Sequence, residues 1–201
     1  MAEAVNPAGT LGTGAGSRAG AVRSLRLCLS GALLIGALLL MVHNDRFRSL
    51  EAVAAGPLVH LVTASPVAVD PRFAIVFFDV HSLRMEGLRI TSECTAALVI
   101  APIAALAGVL VGFVRFRVGR VLTALGVSAL ILFAVNQLRL LLIAFATHTW
   151  GLKHGYGWSH LLVGSLMTSV GAMLSIAAFF LLVSRTGRGR GSAPADGGTA
   201  P

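Results

Sequence analysis

Leu132-Phe133-Ala134-Val135-Asn136-Gln137-Leu138-Arg139-Leu140-Leu141-Leu142 is the stretch that decides how this chain folds. It lies inside an apolar run from Val121 to Thr147, longer than the ~20 residues a helix needs to cross a bilayer core. An arginine in such a run costs about 2.5–3.5 kcal/mol at the helix centre, so an intramembrane arginine marks a site by default. The bland alternative is an arginine that snorkels to the interface along its own stem. Arg139 lies eight residues before Thr147, roughly 12 Å along a helix, which makes that reach long. Asn136 stands three residues back on the same helical face. Two polar groups on one face predict an interior polar site.

Three further apolar runs flank this one: Leu25–Val42, Cys94–Val114 and Leu161–Val183. The first follows Arg18, Arg23 and Arg26 as a signal peptide would. It is longer than the usual apolar core of a signal peptide, however, and is followed by His43, Asn44 and Asp45 in place of small residues, so it reads as a retained anchor. The whole composition agrees. Of 201 residues, 56% are hydrophobic and only 12% charged, with a mean hydropathy of +0.84. A soluble domain is usually near a quarter charged. The net charge of +8 does not point to nucleic acid, because aromatic residues make up 6% and the basic residues flank apolar runs rather than form a patch. Membrane lipid is the implied surrounding. The fold class expected is an all-α integral membrane protein with about four transmembrane helices.

Charge sets the topology. Segments 1–26, 115–120 and 185–201 carry nine arginines against two acids, Glu3 and Asp196. The alternate segments carry five arginines and Lys153 against six acids. By the positive-inside rule the first set is cytoplasmic, at the plasma membrane. Residues 1–22, rich in Gly and Ala, read as a disordered cytoplasmic tail, 23–184 as the transmembrane domain, and 185–201 as a basic, Gly/Ala/Pro-rich cytoplasmic tail.

Residues 43–93 lie on the external side. Ser49–Thr63 is apolar but contains Glu51, Pro57 and His60, which predicts an external amphipathic helix. The runs Ile75–Phe78 and Leu88–Thr91 predict a short hairpin-like segment with its turn near Glu86-Gly87, delivering the chain to Cys94. Two crossings hidden in this region would keep the same topology and raise the count to six.

Of the two cysteines, Cys28 sits mid-span with no polar companion and reads as a buried thiol, and the two are not placed for a disulfide. Cys94 opens a span from the outside, at the positive end of a helix dipole that favours thiolate, although Glu93 opposes it. Alone it reads equally as a small packed residue at a helix end. His160 starts the last span on the same side; alone it reads as an interfacial histidine. Topology brings both to the depth of Arg139. A base beside a thiol supplies the proton transfers of acyl transfer, and a guanidinium supplies oxyanion donors.

Cys94, then Asn136-Gln137-Leu138-Arg139, then His160-Leu161-Leu162-Val163-Gly164 resemble, in residues and order, the exosortase/archaeosortase family of membrane transpeptidases, here in a compact variant covering about residues 43–184. The resemblance implies a membrane-embedded cysteine protease/transpeptidase. Its protein substrates would end in a short motif, a transmembrane helix and a basic cluster. It implies Cys94 as nucleophile forming a thioester, His160 as proton shuttle, Arg139 as oxyanion stabiliser and Asn136 as an orienting group, with no metal or organic cofactor. An amine, a hydroxyl or water would then release the product. The family commonly has a small polar residue and glycine after the cysteine; Thr95-Ala96 here departs from that.

The rival reading is a non-enzymatic multi-pass protein, a small transporter or assembly factor with Asn136 and Arg139 as its polar intramembrane site. No internal repeat supports it. A third reading is an external metal site using the evenly spaced His148, His154 and His160.

Overall fold

The computed structural model describes residues 13–82, 85–114, 116–151 and 164–185. The chain is a mainly helical integral membrane protein built from α1 (Thr13–Val42), α2 (Asp45–Thr63), β1 (Val67–Asp70), β2 (Ile75–Phe78), β3 (Glu86–Arg89), α3 (Ala97–Phe113), α4 (Val118–Gly151) and α5 (Gly164–Ser184). Gly20–Val42 within α1, all of α4 and all of α5 are long and apolar enough to cross a membrane, and α3 is a shorter apolar helix. The helix begins at Thr13, so residues 13–22, patternless in composition, are helical rather than coil.

Helix lengths divide the molecule into two levels. The 34 residues of α4 extend about 51 Å, far more than the ~30 Å of a hydrocarbon core, whereas the 17 residues of α3 extend only about 26 Å. With their polar ends level near Val114–Val118, α3 stops where α4 has run little more than half its length. Below that point α1 packs along α3, and α5 along α4. Small residues make these approaches close. A side chain at Gly112 would meet the Ser30 hydroxyl at 2.6 Å. The Ser128 and Ser175 hydroxyls each donate to the other's backbone carbonyl at 3.0 Å. Arg26 of α1 donates to the carbonyls of Val114 and Phe116 at 2.8 and 2.7 Å, satisfying acceptors that the end of α3 leaves open. Ile103, Ala107, Val111, Val121, Ala124, Leu132 and Phe179 form the membrane-level core.

Above that level, α2 and the sheet cap the projecting part of α4. The buried face of α2 comprises Glu51, Ala52, Ala55, Gly56, Val59 and Thr63, a helical stripe with apolar Leu50, Val53 and Leu61 exposed on the other side. A second core joins Ala52, Ala55 and Val59 of α2 to Val76, Phe78, Leu88 and Ile90 and to Leu140, Ile143 and Ala144 of α4. The helix expected over Ser49–Thr63 is therefore present, as Asp45–Thr63, held by packing as well as by its amphipathic pattern.

The hairpin is present with two differences. The sheet has three antiparallel strands, β1-β2-β3, and Glu86-Gly87 lies inside β3, opposite Phe78 and Phe77, not in the turn. Glycine suits that strand position because a side chain there would stand 3.0 Å from the Phe77 ring. Cys28 also differs from expectation: it is exposed on the outward face of α1, while Cys94 is the buried thiol.

Candidate active site

Cys94 reaches its position through a chain of backbone restraints. Ile90, fully buried, donates its N–H to Ala74 at 2.9 Å, and its carbonyl accepts from Arg48 of α2 at 3.3 Å. The chain then makes a single 3-10 turn, Ser92–Cys94, in which the Cys94 N–H donates to Thr91 at 3.0 Å. The thiol thus lies just before α3 rather than in its first turn, and Cys94 is only 8% exposed.

Arg139, 7% exposed, comes to it from α4. Its Nη2 stands 3.5 Å from Cys94 Sγ, and its Nη1 donates to the Thr168 hydroxyl of α5 at 3.0 Å. The guanidinium turns its Nε–Nη2 edge to the start of α5, where a side chain at Gly164 would meet Nε at 2.9 Å and Nη2 at 3.1 Å. Among the described residues Nε has no hydrogen-bond partner. Arg139 stands level with the beginning of α3, where the first core gives way to the second.

Asn136 does not touch Cys94. Its Nδ2 donates at 2.8 Å to Glu51 Oε1, which also accepts the Ala96 N–H at 2.9 Å. Gln137 Nε2 donates to the Glu51 carbonyl at 3.3 Å. Burial pushes the Glu51 carboxyl above its usual range, opposed by the Ala96 amide, the Thr95 hydroxyl, Asn136 and the Arg48 charge. Glu51, Gln137 and Thr168 are the polar neighbours that sequence reasoning missed. For Glu51 a signal existed: a carboxylate inside an apolar run merits the reasoning applied to Arg139, yet it served only to argue against a span.

Ala96, which replaces the family's glycine, has φ −63° and ψ −21°, an ordinary helical backbone, so alanine causes no strain there. A cleft of about 60 Å³ opens between α3, α4 and α5. Its polar end is formed by Asn136, Arg139, Thr168 and the neighbours of the cysteine, Glu93 and Thr95, and its other end by apolar side chains such as Leu98 and Leu132.

His160 and His154 lie outside the described residues. His148, at the far end of α4, pairs through Nδ1 with Asp79 Oδ2 at 2.9 Å. Nine residues, about 13 Å of helix, separate it from Arg139. Among the described residues no cluster of His, Cys, Asp and Glu forms that could hold a metal.

Residues 75–177, half of the chain, match the family model described as transmembrane exosortase. The chain belongs to the transmembrane exosortase family. The match begins at β2 and runs through most of α5, so it takes in Cys94, Arg139 and His160 but leaves out α1, α2 and Glu51. No curated protein and no solved structure matches the chain significantly. Exosortase membership supports a membrane transpeptidase role in general terms and implies protein substrates that carry sorting signals.

Proposed function

We propose that this exosortase is a cysteine transpeptidase that cleaves C-terminal sorting signals at the outer face of the plasma membrane. The observation that carries the reading is the 3.5 Å approach of Arg139 Nη2 to Cys94 Sγ, between two elements 45 residues apart in sequence. The thiolate attacks the scissile carbonyl carbon and forms a C–S bond. A guanidinium fork beside the sulfur is placed to hold the negative charge that develops on the carbonyl oxygen. The amide C–N bond then breaks, His160 gives its proton to the leaving amine, and a thioester remains. An acceptor amine, a hydroxyl or water attacks that thioester and gives its proton to His160, a C–N or C–O bond forms, the C–S bond breaks and the thiolate returns.

Chain connectivity supports the role of His160. It precedes by four positions Gly164, which packs on Arg139. The cleft supports a substrate that arrives within the bilayer, because its apolar end faces the membrane level and its polar end adjoins the cysteine turn. The site's side is argued from the cap built on the projecting end of α4 and from Arg26, Arg117, Arg120 and Arg185 near the other end.

The test co-expresses the enzyme with a membrane protein ending in a candidate sorting signal and follows its shortening. Cys94→Ala and Cys94→Ser should abolish cleavage while the protein still accumulates in the membrane, and Cys28→Ala should cleave normally. Normal cleavage by Cys94→Ala would end the cysteine mechanism.

A further inference from the structure

Glu51 is fully buried, on a helix that lies outside the residues matched by the family model. Its contacts reach two other elements at once. One oxygen, Oε1, accepts both the Ala96 N–H, two residues after Cys94, and Asn136 Nδ2, three residues before Arg139. Its backbone carbonyl takes Gln137 as well. Among the described residues the second carboxyl oxygen has no partner in hydrogen-bonding geometry, the Thr95 hydroxyl being a further polar neighbour of the group. A buried carboxyl with one idle oxygen is a poor way to stabilise a fold, since apolar packing of the same volume usually does as well or better. What it does here is join the residue after the cysteine turn to the helix that carries the arginine.

We propose that Glu51 is the positioning residue of this site, holding the Ala96 amide against Asn136 and so setting the separation of the Cys94 thiol from the Arg139 guanidinium. A second consequence follows from the same bonds. The Ala96 N–H is already engaged, so it does not serve as an oxyanion donor, and that task falls to the guanidinium. Asn136, on this account, acts through Glu51 rather than on substrate. The inference rests on the transpeptidase reading only for its effect on turnover; its geometric part concerns the thiol alone.

The experiment uses the full chain carrying Cys28→Ala, in lipid nanodiscs, so that Cys94 is the one thiol. Its rate of modification by a small uncharged methanethiosulfonate is measured without substrate, beside cleavage by the same variants. Glu51→Gln keeps an oxygen at the Oε1 position and places its amide where the idle oxygen was. It should leave labelling and kcat within about threefold of the parent. Glu51→Asp withdraws the oxygen by one methylene, and Glu51→Ala removes it. Both should free the buried turn and raise the labelling rate about tenfold. Both should also lower kcat about 10- to 100-fold with little change in KM, because a displacement near 1 Å is enough for such a loss. If Glu51→Ala does not accumulate, the contrast between Gln and Asp decides. Parental labelling by Glu51→Asp, or Glu51→Gln as impaired as Glu51→Asp, overturns the proposal. Failure of the transpeptidase reading would appear separately, as cleavage that survives Cys94→Ala.

Discussion

Arg139 uses the shape of its side chain more than its charge. One fork nitrogen reaches the Thr168 hydroxyl and the other the Cys94 sulfur, while the Nε–Nη2 edge faces Gly164. A lysine is a point charge on a flexible stem and cannot span both partners. Arg139→Lys should therefore lose about 10²–10³ in kcat/KM, the usual effect of removing one oxyanion donor. Arg139→Leu should be inactive, and both variants should reach near-parental membrane abundance on immunoblots; full cleavage by Arg139→Leu would make the arginine a bystander. Gly164→Ala tests the guanidinium from its Nε–Nη2 edge. Its new methyl would press on Nε at 2.9 Å and should lower kcat while leaving abundance unchanged. Cys94 and Arg139 are legible from sequence because each is chemically out of place in its run. Thr168 is not, because its relevance depends on how α5 is aligned on α4, which no local pattern encodes.

The helix α2 carries a pH signature that follows from Glu51. Its folded carboxyl titrates above the ordinary 4.5, chiefly because burial disfavours its charge. The native state therefore binds this proton more readily than the unfolded chain. The stability this contributes is fully present below the unfolded value and is lost as pH rises through the raised folded one. Glu51→Gln has no such dependence. Thermal unfolding from pH 4 to pH 8 should show the parent losing ground to Glu51→Gln as pH rises above 4.5, and a constant difference would refute the assignment. The α2 segment is legible as an amphipathic stripe, and β2 as a run of branched and aromatic residues. By contrast, β1 is four residues, Val67–Asp70, between Pro66 and Pro71, and is a strand only because β2 pairs with it. Gly87 misleads for a related reason: glycine signals a turn until the ring of Phe77 is found opposite it.

The two cores assign the molecule's surfaces to different surroundings. On the proposed topology the cap of α2 and the sheet lies outside, and the arginines near the adjoining ends of α3 and α4 lie inside. With a thiol reagent that cannot cross membranes, a cysteine at exposed His81 should be modified in intact cells. One at exposed Gly119 should be modified only after the membrane is opened. The reverse pattern would place the site in the cytoplasm and end the sorting proposal. The proposed topology rests on charge counts, whereas the stacking of two cores leaves no trace in them, since it depends on α4 outrunning α3. That inequality bears on how a thiol enzyme coexists with its own biosynthesis. The sulfur approaches the guanidinium only where the cap meets the membrane bundle, each contributing half. A chain still emerging, with either half unfinished, has the cysteine and the arginine but not their juxtaposition. On the proposed mechanism competence would thus arrive last, as a coincidence of two separately assembled parts, and a newly made copy would be inert toward its neighbours until its own folding is complete.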